Sequence, residues 1–102
     1  MKNNEIINFK ISIILVLKEL RKQKGNISQA SVNTDILEKI GFTHNMGRSE
    51  VDGNFKMETL YIYCLYFEIT AAEFFRRVGE VKKEDIEFFK KEQEERKRKK
   101  NA

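Results

Sequence analysis

Proline is absent from all 102 residues, and four of the five glycines fall between apolar segments rather than within them. A chain so free of helix breakers folds into whatever helices its glycine stops and polar caps delimit. Ile7, Ile11, Ile14, Leu15, Val16 and Leu20 recur at helical spacing, so a first helix is expected over residues 6–24, stopped by Gly25. Ser28 is a good N-cap for a second helix that begins at Gln29. Val32, Ile36, Leu37 and Ile40 form its inward stripe, and Gly41 ends it. Thr43 is the expected cap of a short third helix reaching about Val51, with Met46 turned inward. Asp52-Gly53-Asn54 then reads as a loop.

A fourth helix is expected from Lys56 or Met57 to Phe67, with Met57, Leu60, Tyr61, Cys64, Leu65 and Phe67 as its core face. Thr70 and Glu73 have the spacing of a capping box for a fifth helix, which carries Phe74, Phe75 and Val78 and closes at Gly79. Residues 82–102 read as a last amphipathic helix whose only large apolar groups are Ile86, Phe88 and Phe89, with a mobile, highly charged end. The length fits one domain. The expectation is an all-α chain, with a five-helix unit over 6–79 and a charged helix and basic tail over 80–102.

Charge alone says little about partners. Residues 1–80 hold 11 basic and 10 acidic side chains, and residues 81–102 hold 9 and 6, so most of the net +4 sits in the tail. Cys64 is the only cysteine, which rules out an intrachain disulfide and suits a reducing cytoplasm. The apolar run Ile11–Leu17 is far short of the about 20 residues a membrane span needs. A signal peptide beginning at Met1-Lys2 is disfavoured by Lys10 inside the apolar region and by the lack of a small-residue cleavage site. His44 has no cysteine at metal-ligand spacing, and the glycines form no phosphate-cradling loop. Glu84-Asp85-Glu87 reads as a solvated face. We therefore expect no enzyme activity, no metal and no cofactor.

Three stretches carry a resemblance to a known family. The first is Leu20-Arg21-Lys22-Gln23-Lys24-Gly25 followed by Ile27-Ser28-Gln29. The second is Gly47-Arg48-Ser49-Glu50 with Gly53-Asn54 after it. The third is Glu58-Thr59-Leu60 through Cys64-Leu65-Tyr66-Phe67-Glu68-Ile69, then Glu73-Phe74-Phe75. Over about residues 8–78 the chain resembles the Xre/Cro family of helix-turn-helix regulators, in the form found in Bacteroidetes-type bacteria and their mobile elements. The resemblance implies a λ-repressor-like fold, double-stranded DNA as ligand and pairing into homodimers. The chain departs from the pattern in its middle. Gly41 follows Gln29 by twelve residues where the family has about eight, which adds about one turn to the second helix. Ser49 stands where the family favours a large aliphatic side chain.

A recognition helix reads base edges in the major groove with its first residues, Asn favouring adenine and Arg guanine. On that reading His44, Asn45 and Arg48 face bases, Thr43 meets phosphate, and Gly47 allows close approach. The alternative makes Thr43 a cap only, Arg48 a partner of Glu50 or Asp52, and His44 a solvated surface group. The resemblance gives Gln29 a phosphate contact at the N-terminus of the second helix; otherwise it is an exposed polar residue beside a cap. Asn54 and Lys56 either touch the opposite backbone or are solvated loop residues. Arg96-Lys97-Arg98-Lys99-Lys100 either grips phosphates without sequence preference or solubilises the chain. The four phenylalanines at 74, 75, 88 and 89 read as core, with Ile86, Phe88 and Phe89 alternatively a dimer seam.

Three functions compete at this point. One is a sequence-specific DNA-binding regulator, including an antitoxin that would also bind a toxin. A second is a protein-interaction module that keeps the helical core without DNA binding. A third is a non-specific nucleic-acid binder working through the basic tail.

Overall fold

Caps and stops dictate the element order seen in the structure, a computed structural model that describes residues 3–101, apart from the side chains of Asn3 and Asn101. Met1, Lys2 and Ala102, the start of the secretion reading and the end of the tail, lie outside the described residues. Within them the chain forms helices α1 (Asn3–Gln23), α2 (Gln29–Ile40), α3 (Met46–Asp52), α4 (Met57–Tyr66), α5 (Ala71–Gly79) and α6 (Lys83–Asn101), with no strand. Ser28 caps α2 by accepting the Ser31 N–H, and Gly41 closes it at φ 76°, donating to the carbonyls of Ile36 and Leu37. Gly41 suits that left-handed turn because it has no Cβ to clash.

Two ends differ from expectation. The α3 cap is Asn45 rather than Thr43, so α3 starts two residues later and reaches Asp52. Thr70 does cap α5, accepting the Glu73 N–H at 3.0 Å, but the Glu73 carboxylate goes to Arg76 and Arg77 along the same helix. Those guanidiniums hold the exposed Glu73 carboxyl down to about 2.

The helices enclose one main core and an annex. Leu17, Val32, Ile36, Met46, Tyr63 and Phe74 are its largest fully buried side chains, drawn from five helices. α1 packs on α5 and α6, α2 on α3, and α4 on α5. The annex joins Ile86 and Phe89 of α6 to Ile11 and Ile14 of α1. Burying two such side chains stabilises the docked helix by about 1.5–3 kcal/mol each. α6 continues as a helix through the basic run to Asn101, with residues 94–100 all exposed. Ile86 and Phe89 are thus occupied by α1, and of the expected seam only Phe88 stays exposed.

The inward faces of α2 and α4 also differ from the sequence reading. Leu37 and Ile40 are exposed, and so are Ile7, Met57, Tyr61 and Leu65. α4 buries the expected Leu60 and Cys64, and with them Thr59, Ile62, Tyr63 and Tyr66. Its apolar residues surround the helix, so periodicity cannot choose a face; packing against its neighbours does. Among the described residues no helix is long and apolar enough to cross a membrane.

Candidate nucleic-acid interface

α3 is too short to be stable alone, so its position is set by what ties it to the longer helices. Asn33 of α2 accepts the Met46 N–H through Oδ1 at 2.9 Å, anchoring the first residue of α3. Met46 is buried below it. One turn on, Glu50 turns inward and is only 4% exposed. Its Oε1 accepts from Arg21 Nη2 of α1 at 3.1 Å and from Gln29 Nε2 of α2 at 2.9 Å. Three helices therefore meet at one carboxylate. Burial pushes the Glu50 carboxyl up, and Arg21 and Gln29 pull it partly back.

Gly47 completes this joint. A Cβ there would lie 3.0 Å from Gln29 Oε1, a tight contact that would push the Gln29 amide back by a few tenths of an ångström, so glycine suits this close approach to α3. The closeness expected for a DNA group at Gly47 is used by this neighbour inside the chain.

The sequence-selected residues occupy distinct places. Gln29 is half-buried with its amide nitrogen turned to Glu50, not outward to a phosphate. Thr43 is exposed and caps nothing. Asn45 is exposed, but its Oδ1 accepts the Arg48 N–H at 3.1 Å, leaving its amide NH2 outward-capable. Arg48 is the clear surface group: its side chain is 81% exposed, and its Nε lies 3.8 Å from Asp52 Oδ2 one turn on. Asn54 accepts from Lys10 Nζ at 2.9 Å, which ties the loop after α3 to α1. Lys56 is exposed at the start of α4 and gives no side-chain cap.

His44 is not a solvated residue. Its ring lies 5.1 Å from Tyr63, edge to face, and 5.8 Å from Phe42. Both ring nitrogens are buried without a hydrogen-bond partner among the described residues. Burial lowers its pKa below the ordinary 6.5. The unfolded chain therefore takes up a proton at 6.5 that the folded chain refuses until lower pH. The neutral ring's contribution is complete above that value and declines as pH falls below it. We predict that urea stability drops between pH 7.5 and 5.5, and that His44→Phe flattens this drop. Parallel slopes for the two proteins would remove His44 as the cause.

One outward residue escaped the sequence reading. Val51 is 79% exposed on α3, beside Arg48 and Asp52. With the cap at Asn45 the inward pair is Met46 and Glu50, four apart, which turns Val51 to solvent. An apolar side chain there suits contact with a thymine methyl. The outward set of α3 is thus Arg48, Val51 and Asp52.

No protein-family model matches this chain, and no match was found among curated proteins or solved structures.

Proposed function

We propose that the chain is a sequence-specific double-stranded DNA-binding regulator of the Xre/Cro helix-turn-helix type, acting as a homodimer, and that α3 is its reading helix. The observation that carries this reading is the division of α3. Its inward residues are bound to α1 and α2, while Arg48 and Val51 project into solvent. A short helix fixed from behind and presenting a guanidinium and an apolar group has the chemistry to read guanine and a neighbouring thymine. Thr43 and the Asn45 amide border it. Ser28 takes the Ser31 N–H, and with no acidic residue in its first turn α2 keeps its other N-terminal N–H groups open to a phosphate. Lys56 and the basic run of α6 add charge without base preference. Repression of an operon, including one on a mobile element or encoding a toxin, is the regulatory role that fits.

Selection of binding sites from a random duplex pool, at about 150 mM salt where surface charges are screened beyond about 8 Å, tests it. The expected result is an enriched motif with two related half-sites. Retention that vanishes with salt and enriches nothing would defeat the proposal. Truncation after Gln93 separates the tail: sequence preference survives it if α3 reads, and all binding ends if only the tail grips.

A second reading keeps the joint and gives the surface to a protein partner. Two observations favour it: Gln29 is turned inward, and Asp52 places a negative charge beside Arg48. The selection experiment separates the two.

A further inference from the structure

α4 presents Met57, Tyr61 and Leu65 to solvent, exposed by 72%, 57% and 52%. They stand four residues apart, so they form one slanted ridge along the helix. Beside the ridge is an apolar hollow of about 250 Å³ floored by Leu60, Cys64, Ala71 and Phe75. We propose that this α4 ridge is the self-association surface of the protein, packing against α4 of a second copy about a two-fold axis at Tyr61.

The register of the ridge supports that occupant. Met57 and Leu65 are each four residues from Tyr61. Antiparallel pairing about Tyr61 brings Met57 of one copy onto Leu65 of the other and sets the two tyrosines together. A two-fold interface requires such a self-complementary patch. The hollow has room for a side chain of the partner.

The ridge can form the apolar centre of an interface of ordinary size. The three side chains leave on the order of 400 Å² of apolar surface in one line, near the size of the largest patch on a typical monomer. A standard interface takes about 800 Å² per partner, about 56–65% of it non-polar. The ridge supplies about half, and Phe75 and the polar rim around Lys56 and Glu58 extend it. A larger hollow of about 550 Å³ lies beside Phe88 of α6, but charge rings it, with Lys18, Glu19, Arg77, Glu80, Asp85 and Glu92 on its rim. Ile86 and Phe89 are buried on α1, and the exposed Phe88 stands among Glu84, Asp85, Glu87 and Lys91.

The inference rests on the dimer of the proposed function and is tested without DNA, so the two can fail separately. Sedimentation equilibrium of the full chain between about 1 and 200 µM reads it, a span over which a micromolar dimer dissociates. The expected result is a dimer that Tyr61→Glu weakens at least 100-fold and Phe88→Glu leaves unchanged, with both variants keeping the helical circular dichroism. Both changes fall on exposed side chains, so the fold tolerates them. A wild-type monomer throughout the range overturns the inference. So does a dimer that survives Tyr61→Glu, or one that Phe88→Glu dissociates.

Discussion

Arg21→Ala is expected to destabilise the protein by about 3–5 kcal/mol, the range found when one partner of a buried ion pair is removed. Among the described residues the guanidinium is the only cation bonded to Glu50, whose carboxylate is almost wholly enclosed. Without it the negative charge retains just the Gln29 amide. For a chain of about this length the loss lowers the melting temperature by well over 10 °C, since each kcal/mol is worth about 4–8 °C. The effect carries a pH signature. Burial already raises the Glu50 carboxyl above its ordinary 4.5, and loss of Arg21 removes the main opposing influence. A carboxyl raised in the folded state binds its proton more tightly there than in the unfolded chain. Stability from that source is complete below 4.5 and is lost as pH rises through the folded value. The deficit of Arg21→Ala against wild type therefore narrows on acidification from pH 7 towards 4.5, as paired urea titrations would record. A deficit independent of pH would place the damage elsewhere than in the stranded carboxylate.

Arg48→Ala is expected to leave the fold intact and weaken binding to the selected duplex by about 1–3 kcal/mol, or roughly 5- to 150-fold, the range for a forked arginine–guanine contact. Its side chain is so exposed that its removal uncovers nothing in the core. Asp52→Asn is expected to act in the opposite direction. It removes the carboxylate 3.8 Å from Arg48 and a negative charge facing the phosphates, so affinity rises. Fluorescence anisotropy on the selected site and on a version with the guanine changed gives both numbers. Equal affinity of Arg48→Ala and wild type for both duplexes would remove α3 from the recognition surface.

Much of the helix order is legible because its signals are local. Ser28, Gly41, Thr70 and Gly53 act within one turn of themselves, and a linear reading finds them. The length of the second helix follows from the spacing between Gln29 and Gly41. What is not legible depends on distant neighbours. Thr43 and Asn45 are both good caps two residues apart, and Asn33, twelve residues before Asn45, settles the choice by holding Met46. The direction of Gln29 depends on Glu50, twenty-one residues away. His44 looks like a surface residue until Phe42 and Tyr63 close around it. α4 is apolar on every side, so its solvent face emerges only after α1 and α5 have taken theirs.

On the proposed DNA-reading role, the division of α3 has a consequence for engineering new specificity. Randomising Arg48, Val51 and Asp52 samples three outward positions without disturbing any contact that anchors the helix. A library that includes Met46, Gly47 or Glu50 mixes binding losses with misplacement of the helix, because each holds α3 against its neighbours. Three codons within a stretch of five thus form a module that can be rewritten while the rest of the chain serves as a constant frame.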